Sequence, residues 1–235
     1  MAVQDMKMEL NCAEVTRGNW RFSAQGIFTE GIHLVSGDVG SGKSTLALMM
    51  AGLKPPASGS VILEQVSSQM VSFQFPEYHI TGTTVNEECA SWGLDPETIL
   101  SSIGLVEKRN SDPFRLSRGE LKRLHLACVL ANTYDLLILD EPFSSLDICE
   151  KQRICRCLSG RSRGITVLFT HEQTIFPRVN HIWEIHKGRL LYCGSPPDGL
   201  CNWHHAPLLI RNLIALGKTP KNITPDDLTE AACVT

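Results

Sequence analysis

The sequence of 235 residues has no apolar run approaching the roughly 20 residues needed to cross a bilayer, so any membrane role must come through a partner. Its first ten residues, MAVQDMKMEL, lack a basic segment leading into an apolar stretch. The expectation is therefore a cytosolic protein without a signal peptide. Neither sign of charge dominates: the formal net charge is -3, which gives no general pull toward nucleic acid or an anionic surface, and no nucleic-acid partner is expected. Repeats, low-complexity tracts and long linkers are also missing. The 9 cysteines are odd in number and scattered, and no second Cys or His pair stands at zinc-finger spacing beside Cys155 and Cys157. With Cys149 nearby, these read as small thiols on a helix rather than a metal site. What remains is ordinary globular material, 43% hydrophobic and 20% charged, enough for one large domain or a core with a small appendage.

Short apolar segments separated by turn signals fill the N-terminal third. Met8 to Val15, Trp20 to Phe28 and Gly31 to Ser36 read as strands. A glycine-rich break from Gly37 to Gly42 precedes a helix expected over Thr45 to Leu53, closed by Gly52 and Pro55-Pro56. Val61 to Leu63 and Met70 to Phe75 suggest further strands. From Thr84 to about Leu130 the periodicity turns helical, with Asp95-Pro96-Glu97 as one helix start and Leu121, Leu124, Cys128 and Ala131 as the apolar face of another helix. Leu136 to Leu139 and Ile165 to Thr170 are wholly apolar or nearly so, as in parallel strands buried on both faces. Ile148 to Leu158 reads as helix. His181 to His186 and Arg189 to Tyr192 flank Lys187-Gly188 as a hairpin, and one amphipathic stretch, Ala206 to Leu216, marks the tail. The expected fold class is α/β.

Gly37-Asp38-Val39-Gly40-Ser41-Gly42-Lys43-Ser44 fits G-x-x-x-x-G-K-[ST]. Glycines let successive backbone N–H groups curl inward onto phosphate oxygens, and the helix that follows presents its positive N-terminus to the same anion. Lys43 is placed to reach the β- and γ-phosphates and Ser44 to hold magnesium, with Thr45 next in the phosphate-binding set. Farther on, Asp140-Glu141 closes the apolar strand at its C-terminal end, where ligands of open α/β sheets bind. Asp140 suits a magnesium ion and Glu141 a general base acting on water.

Other short segments then resemble one family, the ATP-binding cassette (ABC) ATPases. Leu116-Ser117-Arg118-Gly119-Glu120 resembles the L-S-G-G-Q signature, with arginine and glutamate at two consensus positions. It is also an S-x-x-E capping box at a helix start, and a helix N-terminus bearing Ser117 and Gly119 suits a γ-phosphate. Ser144-Ser145-Leu146-Asp147 resembles the D-loop, His171 the switch histidine and Gln74 the Q-loop glutamine. The resemblance covers roughly residues 8 to 195. It implies a P-loop NTPase (RecA-like) core with an N-terminal antiparallel β subdomain, a helical signature subdomain at about 78-130, and a short helical tail over 196-235. It further implies ATP and Mg2+ as ligands, with Glu141, His171 and Lys43 catalytic and Ser44, Gln74 and Asp140 at the metal. Gly37 to Thr45, Gln74, Ser117, Gly119 and Asp147 would contact nucleotide, the signature residues doing so from the opposite subunit of a homodimer or of a heterodimer with a related ATPase. Trp20 or Arg17 would cover the adenine.

Within that family, Phe73-Gln74-Phe75-Pro76-Glu77-Tyr78-His79 followed by Thr83-Thr84-Val85-Asn86-Glu87-Glu88 resembles the ATPases of energy-coupling factor (ECF) importers, with His79 where glutamine is usual. Pro207 to Leu213 and Thr224 to Ala231 resemble their C-terminal helix and closing segment. The implied partners are a transmembrane coupling protein, docking near Pro76 to Val85, and a separate membrane protein that captures a vitamin or transition metal ion. The implied place is the cytoplasmic face of the membrane. Two other readings are weaker. A soluble repair or cofactor-assembly ATPase of the family is disfavoured for repair because Ser44 to Leu116 has no room for a long coiled coil. A small-molecule kinase leaves the signature, the D-loop and His171 unexplained.

Overall fold

The computed structural model describes residues 6–161 and 163–233. Strands β1 (Lys7–Arg17) and β2 (Trp20–Thr29) pair antiparallel. The buried positions of β1 are Met8 and Leu10, then Ala13 and Val15, so the inward phase slips by a residue. A bulge absorbs the slip: register shifts between Leu10 and Ala13, and Cys12 takes φ 44. Next come β3 (Gly31–Ser36) and α1 (Lys43–Met50), the helix starting at Lys43 rather than Thr45 and ending before Leu53. β4 (Ser58–Glu64) pairs with β1, and β5 (Gln69–Ser72) forms the far edge of the sheet.

β5 stops at Ser72, short of the expected Phe75. The Phe73 N–H donates to His79 Nε2 at 3.0 Å instead of joining the ladder, and a 3-10 turn over Pro76–His79 leads the chain away. Thus Gln74 follows the strand rather than ending it. Three helices come next: α2 (Val85–Ser91), α3 (Pro96–Ile103) and α4 (Arg118–Ala131). Each starts on a side-chain cap, from Thr84, Asp95 and Ser117 respectively. They enclose their own small core of Val85, Leu100, Ile103, Leu121 and Leu124, each such side chain contributing about 1.5–3 kcal/mol on burial.

β6 (Leu136–Asp140), α5 (Ile148–Ser159), β7 (Ile165–Phe169), β8 (His181–His186) and β9 (Arg189–Gly194) complete the sheet region. All strands join one sheet in the order β4-β1-β2-β9-β8-β3-β7-β6-β5. Its β8-β3-β7-β6-β5 portion is parallel, whereas β1 pairs antiparallel with both β2 and β4. Alternate side chains of β6 enter separate cores. Leu136 and Ile138 meet Leu46 and Met50 of α1, while Leu137 and Leu139 meet Leu126 of α4 and Ile154 of α5.

The tail holds two helices, α6 (Leu208–Ala215) and α7 (Pro225–Cys233), where periodicity alone marks one. Trp203, Ile210, Leu213, Ile223 and Leu228 join the core that contains Leu137 and Leu139, so the tail packs onto the sheet layer. On α5, Cys149 and Cys157 are exposed and Cys155 buried, all with free thiols. Among the described residues no group of three or more His, Cys, Asp and Glu side chains is arranged to hold a metal ion.

Candidate active site

The turn from β3 into α1 curls into a cradle. Gly42 takes φ 113 at the start of α1, and a Cβ there would come within 3.0 Å of Trp20. Only glycine meets both demands. The Lys43 ammonium folds back over the loop, donating to the Gly37 carbonyl at 2.7 Å and the Asp38 carbonyl at 3.1 Å. It also lies 3.7 Å from Glu141 Oε1.

The end of β6 delivers two buried carboxylates. Asp140 is 4% exposed, and among the described residues its Oδ1 has no hydrogen-bond partner. Burial raises its pKa, opposed by a hydrogen bond with Ser44. A buried carboxylate oxygen left free beside a serine hydroxyl is the kind of oxygen donor set that a small hard cation takes. Glu141 sits at φ 50, a left-handed backbone that non-glycine residues adopt at an energetic cost. Its side chain is pinned on both oxygens. Oε1 is 2.7 Å from His171 Nδ1, while Oε2 accepts from Thr170 Oγ1 at 3.2 Å and from the His171 N–H at 3.3 Å.

Lys43, Glu141 and His171 border a cleft of about 440 Å³, whereas Asp140, buried at the strand end, is not among the residues lining it. Val39, Gly40, Gly42, Lys43, Ser44, Thr45, Gln74, Glu141 and His171, all named from sequence, line it. Trp20 and Arg17 both line the same cleft, as does Lys54, a cation with no local sequence signal. Gly37 and Asp38 line an adjoining pocket of about 180 Å³ with Thr170, Trp203 and His205.

Ser117, Gly119 and Asp147 do not line the cleft. They form a second cluster at the start of α4 and α5. A Cβ on Gly119 would come within 2.9 Å of the Ser145 carbonyl, so the turn at Ser117–Gly119 rests directly on the Ser145 backbone. Asp147 caps α5 through the Glu150 N–H at 2.9 Å. Ser117 and Glu120 form a reciprocal capping box, and Glu120 replaces the consensus glutamine with a charge. Lys108 neutralises that charge from 2.6 Å, and this contact, with the Ser117 N–H, holds the Glu120 carboxyl down at about 2.

Behind Gln74 lies a lysine that sequence reasoning passed over, because a lysine in a helix normally faces water. Lys122 on α4 is 1% exposed and donates to the carbonyls of Gln74 at 2.9 Å and Phe73 at 3.4 Å. Burial pushes its pKa down to about 8 despite Asp140, Glu141 and Glu77 nearby. His79 has a structural reason for standing where glutamine is usual. Its Nε2 accepts the Phe73 N–H, and its ring stacks at 4.4 Å on buried His125, whose own Nε2 is 2.9 Å from Ser72 Oγ. Outside this packing, Phe75 and Tyr78 are 53% and 75% exposed.

Residues 26–144 match the ABC transporter family model. The chain belongs to the ABC transporter ATPases. It therefore binds ATP and couples its hydrolysis to transport. Among similar curated proteins is the energy-coupling factor transporter ATP-binding protein EcfA2 of Thermotoga maritima, 29% identical over 85% of this chain and 86% of that one. EcfA1 of Fusobacterium nucleatum is 31% identical over 83% and 85%, and EcfA1 of Thermotoga maritima 33% identical over 70% and 71%. Among solved structures, cbiO1 from Clostridium perfringens, described as part of the ABC transporter complex cbiONQ, superposes with a TM-score of 0.64 at 19% identity, covering 84% of this chain and 92% of that one. A bacterial Atm1-family ABC exporter with ATP bound gives a TM-score of 0.68 at 16% identity, over 81% and 39%. At these identities both structures establish the ABC ATPase fold. No helix among the described residues is long and apolar enough to cross a membrane.

Proposed function

We propose that this ABC ATPase energises an importer of the energy-coupling factor class from the cytoplasmic face of the membrane. The observation that carries the reading is that the similarity to ECF ATP-binding proteins extends over most of both chains. ATP lies in the cleft with its phosphates on the Gly37–Thr45 backbone and its adenine against Trp20 or Arg17. Lys43, held by loop carbonyls in the described state, turns onto the β- and γ-phosphates. The residues present fit magnesium: Ser44, Gln74 and Asp140 would hold it, with the free Asp140 oxygen as the anionic ligand. When bound, it supplies positive charge at the β- and γ-phosphate oxygens.

Glu141 takes a proton from the attacking water as the water oxygen bonds to the γ-phosphorus and the bond to the β-phosphate oxygen breaks. Its anchors at Thr170 and His171 fix the direction of Oε1 before the reaction starts. Ser117 and Gly119 stand outside the cleft and serve the γ-phosphate held by a second ATPase subunit. Two subunits thus close head to tail on two nucleotides. A homodimer suffices, because both halves of the site are present in one chain, and a related second ATPase serves equally. Release of the γ-phosphate removes the group that joined them.

The exposed Phe75 and Tyr78 lie one and four residues after Gln74, on the surface assigned to a helix of the transmembrane coupling protein. A separate membrane protein captures the vitamin or metal ion. The test is affinity purification from native membranes in mild detergent, with mass spectrometry, for the wild type and Tyr78→Ala. Co-purified polytopic membrane proteins, reduced in Tyr78→Ala while nucleotide affinity holds, support the reading. Recovery only from the soluble fraction, alone or with soluble partners, sinks it.

A further inference from the structure

The C-terminal tail touches the phosphate loop on both sides of its first glycine. Ser36 is buried at the end of β3, immediately before Gly37, and its Oγ accepts from the indole N–H of Trp203 at 2.6 Å. The same Oγ donates to the Trp183 carbonyl at 3.3 Å, which fixes the direction of the hydroxyl. On the other side of Gly37, Asp38 Oδ2 lies 3.4 Å from His205 Nε2. Trp203 itself is 3% exposed and packs edge-to-face on Phe176 at 6.1 Å.

A fully buried carboxylate fixes where this segment sits. Glu184 of β8 is in register with Ser36, and its described partners come from the tail. His204 Nδ1 lies 2.6 Å from Oε1; the His205 N–H and Nδ1 each lie 3.2 Å from Oε2. A buried carboxylate is stabilised only where such partners are present, so Glu184 selects one docked position of the tail. That position places Trp203 on Ser36 and His205 on Asp38. Between them stand the Gly37 and Asp38 carbonyls that hold the Lys43 ammonium.

We propose that Trp203, His204 and His205 form a positioning element for the phosphate loop, holding Ser36 and Asp38 so that the loop is shaped before ATP arrives. The inference rests on the reading of Gly37–Thr45 as the triphosphate site. None of the three touches nucleotide in this scheme. They act through the loop, by lowering the disorder it loses on binding.

The test uses the full-length chain, with Mg-ATP affinity from displacement of a fluorescent ATP analogue and thermal unfolding measured on each sample. Trp203→Phe keeps an aromatic ring but removes the donor to Ser36; His205→Ala removes the contact to Asp38. Leu228→Ala loosens the tail through α7, in the same core but away from the loop. Residues that modulate a site without touching its ligand typically change affinity roughly 2- to 30-fold, and a weakening in that range is expected for Trp203→Phe and His205→Ala. Leu228→Ala should lower the unfolding temperature and leave affinity at the wild-type value. Wild-type affinity in both loop-facing variants overturns the proposal. So does an equal affinity loss in Leu228→Ala at matched unfolding temperature, since the tail would then act only through stability. Lys43→Ala separates the two readings: if it binds ATP normally the triphosphate site is misassigned, whereas a loss there with no effect at Trp203 or His205 removes only the tail inference.

Discussion

Replacing Lys122 by methionine isolates a single buried charge. Lys122 is 1% exposed, and its pKa falls from the ordinary 10.5 to about 8 because burial outweighs attraction to Asp140, Glu141 and Glu77. A drop of that size corresponds to about 3 kcal/mol between the charged and neutral lysine. The sign follows from which state binds the proton more tightly. The unfolded chain keeps it up to about pH 10.5 and the folded protein only up to about 8, so the penalty is fully present below 8. It is relieved as pH rises from 8 to 10.5, and wild-type stability gains up to about 3 kcal/mol from this residue across that window. Methionine has similar length and no charge, so Lys122→Met should lack this rise while leaving the Gln74 and Phe73 carbonyls without their donor. Urea unfolding at intervals from pH 7 to 10.5 on both proteins measures it, because other titrating groups cancel in the difference. Parallel curves would refute the reasoning. Under the proposed function the same variant should also slow ATP turnover, because the backbone at Phe73 and Gln74 loses its tie to α4.

Glu141→Gln should retain ATP affinity, lose about 10²- to 10⁴-fold in turnover and accumulate as a dimer in Mg-ATP, read by phosphate release and size-exclusion chromatography. A monomer at saturating ATP, or near-normal turnover, contradicts the assigned base. Lys108→Ala should raise the Michaelis constant for ATP about two- to fivefold, by leaving the Glu120 charge unbalanced at the helix N-terminus proposed to meet the γ-phosphate. Glu120→Gln in the same background should restore it, and failure to do so removes the charge argument. The Glu120 carboxyl, depressed to about 2, contributes stability above the ordinary value of 4.5 that is lost as pH falls toward about 2, and Lys108→Ala should move that loss to higher pH.

What could be read from sequence was what the chain encodes over a few neighbouring residues. The phosphate loop needs closely spaced glycines and a following helix, and Asp140-Glu141 needs only the apolar run before it. The capping box of Ser117 and Glu120 is equally local. Contacts between distant segments left no such mark. Lys122 reads as a solvated helical lysine until β5 is placed beside α4, and His205 as a loop residue until the tail returns to Asp38. The early end of β5 depends on His79 taking the Phe73 N–H, a competition no periodicity records. The phase slip in β1 was visible in Met8, Leu10, Ala13 and Val15, yet a strand drawn straight through them conceals the bulge.

One junction in the sheet bears on temperature. β2, which starts at Trp20, meets β9 through one registered pair, Ser23 with Arg189. Phe28 of β2 also stacks on Trp183 of β8, the strand beyond β9, at 4.4 Å. Ladder hydrogen bonds and apolar packing respond differently to cooling, since hydrophobic stabilisation weakens as temperature falls. The edge carrying Trp20 should therefore loosen from Gly42 in the cold before the ladder-bonded parallel strands part, and under the proposed reading of the cleft ATP affinity should fall with it on chilling.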